Sequence, residues 1–269
     1  MLHEISSPAN PLVKRLKSLS DKRGRRDEGL FLAEGLRVCT EALAAGRVPA
    51  ILAVTPEAEA HPLGRRLIHA TRGGGGMAAR MPRELISRIT GKDNAQGVAA
   101  AYAIPDTSLS HLDRSRARLW LVAEGLKDPG NFGTMLRTCD ATGAGGVILL
   151  DQSCDPFSLE AVRASMGALF SRQVAQASGP AFFAWLRQAP AQLVGAALAG
   201  RTIDYRAHDY RAPCFLFMGN EQSGLPADYA AQCDALVKLP MLGTADSLNV
   251  AVCAGVLLYH ALDRLSAQA

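Results

Sequence analysis

At 269 residues, with 48% hydrophobic and 20% charged side chains, the chain has ordinary globular composition and length enough for two domains, which excludes a disordered or fibrous protein. Its net charge of +4, from 29 Lys and Arg against 25 Asp and Glu, permits an anionic partner without specifying one. Six cysteines without a CxxC pair read as reduced thiols, the N-terminus lacks a signal-peptide pattern, and the longest apolar stretch, about 248–258, is too short to span a bilayer. A soluble, cytoplasmic protein with no metal and no membrane partner is expected.

Residues 10–19 carry apolar side chains at helical spacing (Leu12, Val13, Leu16, Leu19), with Lys and Arg on the other face. The basic run Lys14, Arg15, Lys17, Lys22, Arg23, Arg25 and Arg26 is opposed only by Asp21 before Asp27. A second basic spread follows through Arg65, Arg66, Arg72, Arg80, Arg83, Arg88 and Lys92. One such run is usually a solvated helix face; two of them, in one half of a chain, suit a phosphate backbone. Helical spacing returns over 34–45, a short buried strand follows at 51–54, and 97–103 reads as a strand closing a first domain. The glycines after Arg72 mark a loop tip; no Gly-Lys-Ser/Thr follows, so a phosphate-binding loop is not indicated. A Ser-, Asp- and Pro-rich linker then separates two domains, 1–105 and 118–269, with 106–117 between them.

Beyond the linker, strands and helices alternate. Strands are expected at 119–124, 146–151, 193–197, 214–218 and 236–239. Helices are expected at 134–142, near 158–164 and 181–188, and at 247–265. Short continuous apolar strands alternating with helices predict an α/β domain with a mostly parallel sheet covered on both faces. Ligands of such sheets bind at the carboxyl ends of strands, so the loops after Glu124, Met218 and Leu239 are the candidate site. The first offers Asn131 and, in the helix that follows, Arg137. The second offers Gly219 and Glu221, and the third leads to Ser247, placed to cap the last helix. A dinucleotide-binding dehydrogenase would need GxGxxG after the first strand, which is absent.

Together these loops resemble the SpoU/TrmH family of RNA ribose 2′-O-methyltransferases, within the SPOUT superfamily. Residues 128–133 with Arg137-Thr138-Cys139-Asp140-Ala141 resemble its first motif, and residues 218–225 its second. Leu239-Pro240-Met241 with Ser247-Leu248-Asn249-Val250-Ala251-Val252 resembles its third. Residues 163–170 resemble its serine–glycine–alanine element. Residues 5–14 and 31–35 resemble the small substrate-binding domain, similar to a ribosomal-protein RNA-binding fold, that precedes the catalytic domain in rRNA-directed members.

The resemblance implies a SPOUT α/β-knot, trefoil-knotted, behind a small α/β RNA-binding domain, and a homodimer joined through the knot and the last helix. It implies S-adenosyl-L-methionine as cofactor, held by Gly219, Leu239, Met241 and Leu248, and methyl transfer to a ribose 2′-hydroxyl, of rRNA rather than tRNA. Arg137 would be the central catalytic residue, with Asn131, Glu221, Ser247 and Asn249 positioning it and the ribose. Lys14, Arg15, Arg23, Arg25 and Arg26 would hold RNA. A tRNA methyltransferase, or a non-catalytic RNA-binding member of the fold, is the alternative. A guanidinium makes a poor base, so the resemblance leaves open whether Arg137 takes a proton or clamps a phosphate.

Overall fold

A computed structural model describes residues 2–93, 95–198 and 200–267. The N-terminal part runs β1 (His3–Glu4), α1 (Pro11–Ser18), α2 (Lys22–Glu28), β2 (Leu30–Glu34), α3 (Leu36–Ala44) and β3 (Ile51–Val54). It continues through α4 (Pro56–Ala60), α5 (Pro62–Gly73), β4 (Met77–Arg80), α6 (Arg83–Thr90) and β5 (Val98–Ala103). Next come β6 (Leu119–Glu124), α7 (Pro129–Thr142), β7 (Gly146–Leu150), α8 (Leu159–Ala164), α9 (Ala168–Ser171) and β8 (Gln173–Ala177). The chain ends with α10 (Gly179–Leu186), β9 (Gln192–Ala196), β10 (Thr202–Asp204), β11 (Cys214–Met218), α11 (Ala227–Ala230), β12 (Ala235–Lys238) and α12 (Val250–Ser266).

Two units result, Met1–Pro105 with Asp155–Ser171, and Asp106–Cys154 with Arg172–Ala269. The first is built on a five-stranded mixed sheet of order β1-β4-β3-β5-β2, in which β5 runs antiparallel to both β2 and β3. Its core includes Val13, Leu16 and Leu19 of the first helical segment, packed with Ile51, Ile86 and Ala99, because the apolar stripe of α1 must leave water.

The first unit is not a continuous stretch of sequence. Residues 155–171, which carry α8 and α9, pack into it: Phe31 lies 5.1 Å from Phe157 and 5.7 Å from Phe170, and Tyr102 lies 4.7 Å from Phe170. Two ion pairs hold the segment. Arg163 reaches Glu34, whose side chain is 2% exposed, and also donates to the Thr90 carbonyl at 2.8 Å. Arg25 pairs with Asp155 and donates to the carbonyls of Leu19 and Ser20, each at 2.8 Å. Buried charges persist only when paired in this way. This corrects one expectation: Arg25, placed above with the RNA-binding cations, has a side chain only 5% exposed and every nitrogen engaged, so it presents nothing to a polyanion.

The second unit carries a seven-stranded sheet of order β10-β12-β9-β11-β6-β7-β8, with every pairing parallel. Parallel strands need both faces covered, and Trp120, Val122, Ile148, Phe215 and Phe217 are accordingly buried against Phe182 and Phe183 of α10. On α12 and α7 the helices meet closely enough that a Cβ on Gly255 would lie 3.9 Å from Thr138. Since β6, β11 and β12 run the same way, the loops that follow them emerge at one edge of the sheet.

Candidate active site

At that edge, α7 starts earlier than its sequence pattern suggests. Asp128 is its N-cap, accepting from the Asn131 amide, and Pro129 occupies the first turn, where a missing N–H costs nothing. The loop expected over 127–133 is thus mostly helix. Asn131 sits in its first turn and Arg137 roughly two turns along.

After β11, the chain turns back on itself. Asn220 and Gly224 exchange backbone hydrogen bonds at 3.2 and 3.0 Å, and a Cβ on Gly219 would overlap the backbone of Gly224 and Leu225. Only glycine fits there. Asn220 ties the turn down: its Nδ2 donates to the Gly125 carbonyl at 2.7 Å, and its Oδ1 accepts from the amides of Gln222 and Ser223. Glu221 then projects toward α7.

After β12, residues 239–249 run as irregular chain into α12, which begins at Val250 and not at Ser247. Asn249 is the N-cap, its Oδ1 accepting from the amides of Ala251 and Val252 at 2.9 and 3.3 Å. Ser247, expected in that role, is exposed and two residues too early.

These caps bring three loops together. Asn249 Nδ2 donates to Asn131 Oδ1 at 3.0 Å, and Asn131 Nδ2 approaches Glu221 Oε1 at 3.4 Å. The Lys127 amide approaches Glu221 Oε2 at 3.5 Å. Asn131, Glu221 and Asn249 therefore form one polar chain across the ends of β6, β11 and β12. Arg137 lies outside it. Six residues beyond Asn131, it is turned about 120° round the helix, is exposed, and makes no hydrogen bond or ion pair with the described residues.

Beside the polar chain is a cleft of about 640 Å³, lined by Glu124, Lys127, Asp151 and Gln152 as well as Asn131 and Glu221. Burial, and then the charge of Asp151, push the Glu124 carboxyl above its ordinary value. Asp151 receives the Tyr229 hydroxyl at 2.9 Å and the Gly179 amide at 3.0 Å, which ties α11 and α10 to the end of β7. Neither Glu124 nor Asp151 stands in a motif; both were legible only as the ends of expected strands, not as site residues. Gly219, Leu239, Met241 and Leu248 do not line this cleft. Leu248 is 43% exposed, Leu242 beside Met241 is 97% exposed, and Leu239 and Met241 are half-buried. No group of three or more His, Cys, Asp or Glu placed to hold a metal ion occurs among the described residues, and no helix among them is long and apolar enough to cross a membrane.

A parallel α/β unit with polar loops converging at the carboxyl edge of its sheet defines an enzyme domain that takes its ligand there. Residues 118–259 match the SpoU rRNA Methylase family, and residues 10–100 the MRM3-like substrate binding domain. The chain is 30% identical over 259 residues to the 23S rRNA (guanosine(2553)-2′-O)-methyltransferase RlmP of Bacillus subtilis, covering 96% of this chain and 99% of that one. Its fold is similar to the AdoMet-bound rRNA methyltransferase from Sinorhizobium meliloti, with a TM-score of 0.91 and 37% identity over 98% of each chain. It is also similar to the SpoU methyltransferase AviRb from Streptomyces viridochromogenes in complex with AdoMet, with a TM-score of 0.85 and 27% identity over 95% of this chain and 98% of that one. The chain belongs to the SpoU rRNA methylase family.

Proposed function

We propose that the protein transfers a methyl group from S-adenosylmethionine to a ribose 2′-hydroxyl of ribosomal RNA. The observation that carries this reading is the hydrogen-bonded chain Asn249–Asn131–Glu221, which joins the three strand-end loops into one polar surface. The named activities of the relatives, RlmP among them, favour rRNA over tRNA.

The third loop fits the cofactor chemically. From Pro240 to Leu248 the main chain makes no hydrogen bond with other described backbone, so its amides and carbonyls are available to a ligand. Leu239, Met241 and Leu248 offer apolar surface to an adenosyl group, and Gly219 keeps the turn after β11 tight. When bound, S-adenosylmethionine supplies a methyl group already activated by its positive sulfur.

The protein's part is placement and proton handling. A ribose hydroxyl is a weak nucleophile near neutral pH, so it must be oriented and its proton accepted or polarised. Asn131 and Asn249 fix one another, and Glu221 keeps acceptor capacity beyond its long contacts to Asn131 and the Lys127 amide. Ser247 stands near the start of the same helix, with its hydroxyl exposed. Arg137, without a partner among the described residues and turned away from the Asn131–Glu221–Asn249 chain, suits a phosphate clamp better than a base.

Its direction suggests a site completed by a second copy of the chain. On α12, Val252, Val256 and Tyr259 are 53%, 36% and 55% exposed at helical spacing, an apolar stripe of the kind a dimer covers. The homodimer, with Arg137 serving its partner's ribose, belongs to this proposal. So does the trefoil knot, whose support is a chain path from β9 out to β10, back to β11 and out again to β12. So does a cytoplasmic location, with the ribosomal RNA.

Calorimetric titration with S-adenosylmethionine tests the first half, and mapping of 2′-O-methyl marks on rRNA from cells with and without the gene tests the second. Binding and the loss of one mark are expected. Absence of cofactor binding would overturn the reading, and binding with an unchanged map would leave a non-catalytic RNA-binding member of the fold.

A further inference from the structure

The arginines of α1 and α2 each meet an acid within their own unit, while Lys14, Lys17 and Lys22 have no ion-pair partner among the described residues. Arg15 pairs with Glu28 at 2.7 Å, Arg23 and Arg26 both approach Asp27 at 3.5 Å, and Arg25 is buried on Asp155. Helix α5 differs. Its sequence, PLGRRLIHATRG, contains three arginines and a histidine and no acid. The acids of the preceding α4 are taken elsewhere: Glu59 by Arg80 at 2.6 Å, and Glu57 by Arg83 at 3.5 Å. Arg65, Arg66, His69 and Arg72 are all exposed and have no ion-pair partner among the described residues.

Position matters as much as charge. Residues 65, 68, 69 and 72 are spaced i, i+3, i+4 and i+7, so Arg65, Ile68, His69 and Arg72 share one face of the helix. That face forms one wall of an open groove of about 570 Å³, also lined by Leu2 and by Glu59, whose carboxylate is held by Arg80. Arg72, in the last turn, is favoured there by the helix dipole, but Arg65 and Arg66 follow closely on the N-cap His61, where a cation gains nothing from it. Arg65 also donates one Nη1 hydrogen bond, at 2.5 Å, to the Ala60 carbonyl that ends α4, which leaves its other nitrogens turned to solvent; the dipole accounts for neither Arg65 nor Arg66.

We propose that this face of α5 is a phosphodiester-binding surface, with Arg65 and Arg72 gripping the RNA backbone and His69 between them. The proposal rests on RNA being the substrate, and it moves the main backbone contact of the first unit from α1–α2 to α5. Planar guanidinium forks suit phosphate oxygens, and contacts of this kind set register without reading sequence.

The test uses the full-length protein and a 23S rRNA transcript made in vitro, with binding measured over a series of salt concentrations. Each lost phosphate contact lowers the slope of log affinity against log salt by roughly 0.7–0.9, so the double variant Arg65→Gln, Arg72→Gln should lose about 1.5 from the slope. Arg65→Lys, Arg72→Lys should keep it, and S-adenosylmethionine binding should be unchanged in both. An unchanged slope in the glutamine variant overturns the proposal, and returns the face to a protein partner. Equal losses in the glutamine and lysine variants overturn it too, since charge would then not be the cause. Failure of the unaltered protein to bind cofactor would instead strike the methyltransferase reading.

Discussion

The side chain of Asn249 divides its two ends between structure and site: Oδ1 caps α12, while Nδ2 donates to Asn131 at 3.0 Å. One residue thus fixes where the last helix begins and where the motif residue of α7 points. Exchanging Asn249 for Asp separates the two duties. An aspartate still caps, and its charge is favourable at a helix N-terminus, so stability should change by less than about 0.5 kcal/mol. The donor to Asn131 is lost, and methyl transfer should slow on the order of 10- to 100-fold. Single-turnover methylation and urea denaturation of the same preparation check this. Full activity would show that the Asn131–Asn249 bond does not serve the reaction.

Arg137 has no hydrogen-bond or ion-pair partner among the described residues, and its test follows from that isolation. Arg137→Ala and Asn131→Ala should each abolish transfer, with cofactor affinity nearly intact in the arginine variant. If Arg137 serves the partner's ribose, mixing the two dead proteins and letting subunits exchange should restore about a quarter of the wild-type rate. Half of the dimers are then mixed, and each mixed dimer holds one complete site. A mixture that stays dead would place Arg137 in its own chain's site.

The parts of the site carried by local pattern were legible in the sequence. Leu119–Glu124 and Cys214–Met218 are continuous apolar runs ending at polar loops, and the motifs picked out Asn131, Glu221 and Asn249, which the structure joins. What depended on distant partners was not legible. Ser247 and Asn249 are both good capping residues, and only the path of the main chain decides which oxygen meets the free amides. Arg25 sits in a basic run like its neighbours, and nothing local says that Asp155, 130 positions away, will bury it. The grouping of residues 155–171 with the first unit has the same origin, being written in pairs such as Glu34 with Arg163.

Those pairs carry a stability prediction. The side chains of Arg25 and Glu34 are 5% and 2% exposed, so removing one partner strands a buried charge. Arg25→Ala leaves Asp155, 18% exposed and still accepting from the Phe157 amide, without its countercharge and two carbonyls without their donor, and should cost about 2–3 kcal/mol in urea denaturation. A loss below about 1 kcal/mol would mean that Asp155 finds water once the arginine is gone.

Acid should weaken the second unit through the buried His208 and the half-buried His260. His208 is 8% exposed, its Nε2 has no hydrogen-bond partner among the described residues, and its ring lies edge-on to Tyr210 at 4.7 Å. Burial holds its pKa below the ordinary 6.5, with Asp209 and Asp234 opposing and Arg211 reinforcing the shift. Burial does the same to His260. A base with a depressed folded pKa takes up its proton more readily in the unfolded chain. The stability it allows is therefore full above 6.5 and lost as pH falls through the folded value. Melting temperature should fall between about pH 7 and pH 5.5, a window above most carboxylate titrations. His208→Phe keeps a ring against Tyr210 and removes the titration, so its melting temperature should fall less over that window, with His260 supplying what remains. Parallel pH profiles for the two proteins would show that His208 stays neutral, or finds water, throughout.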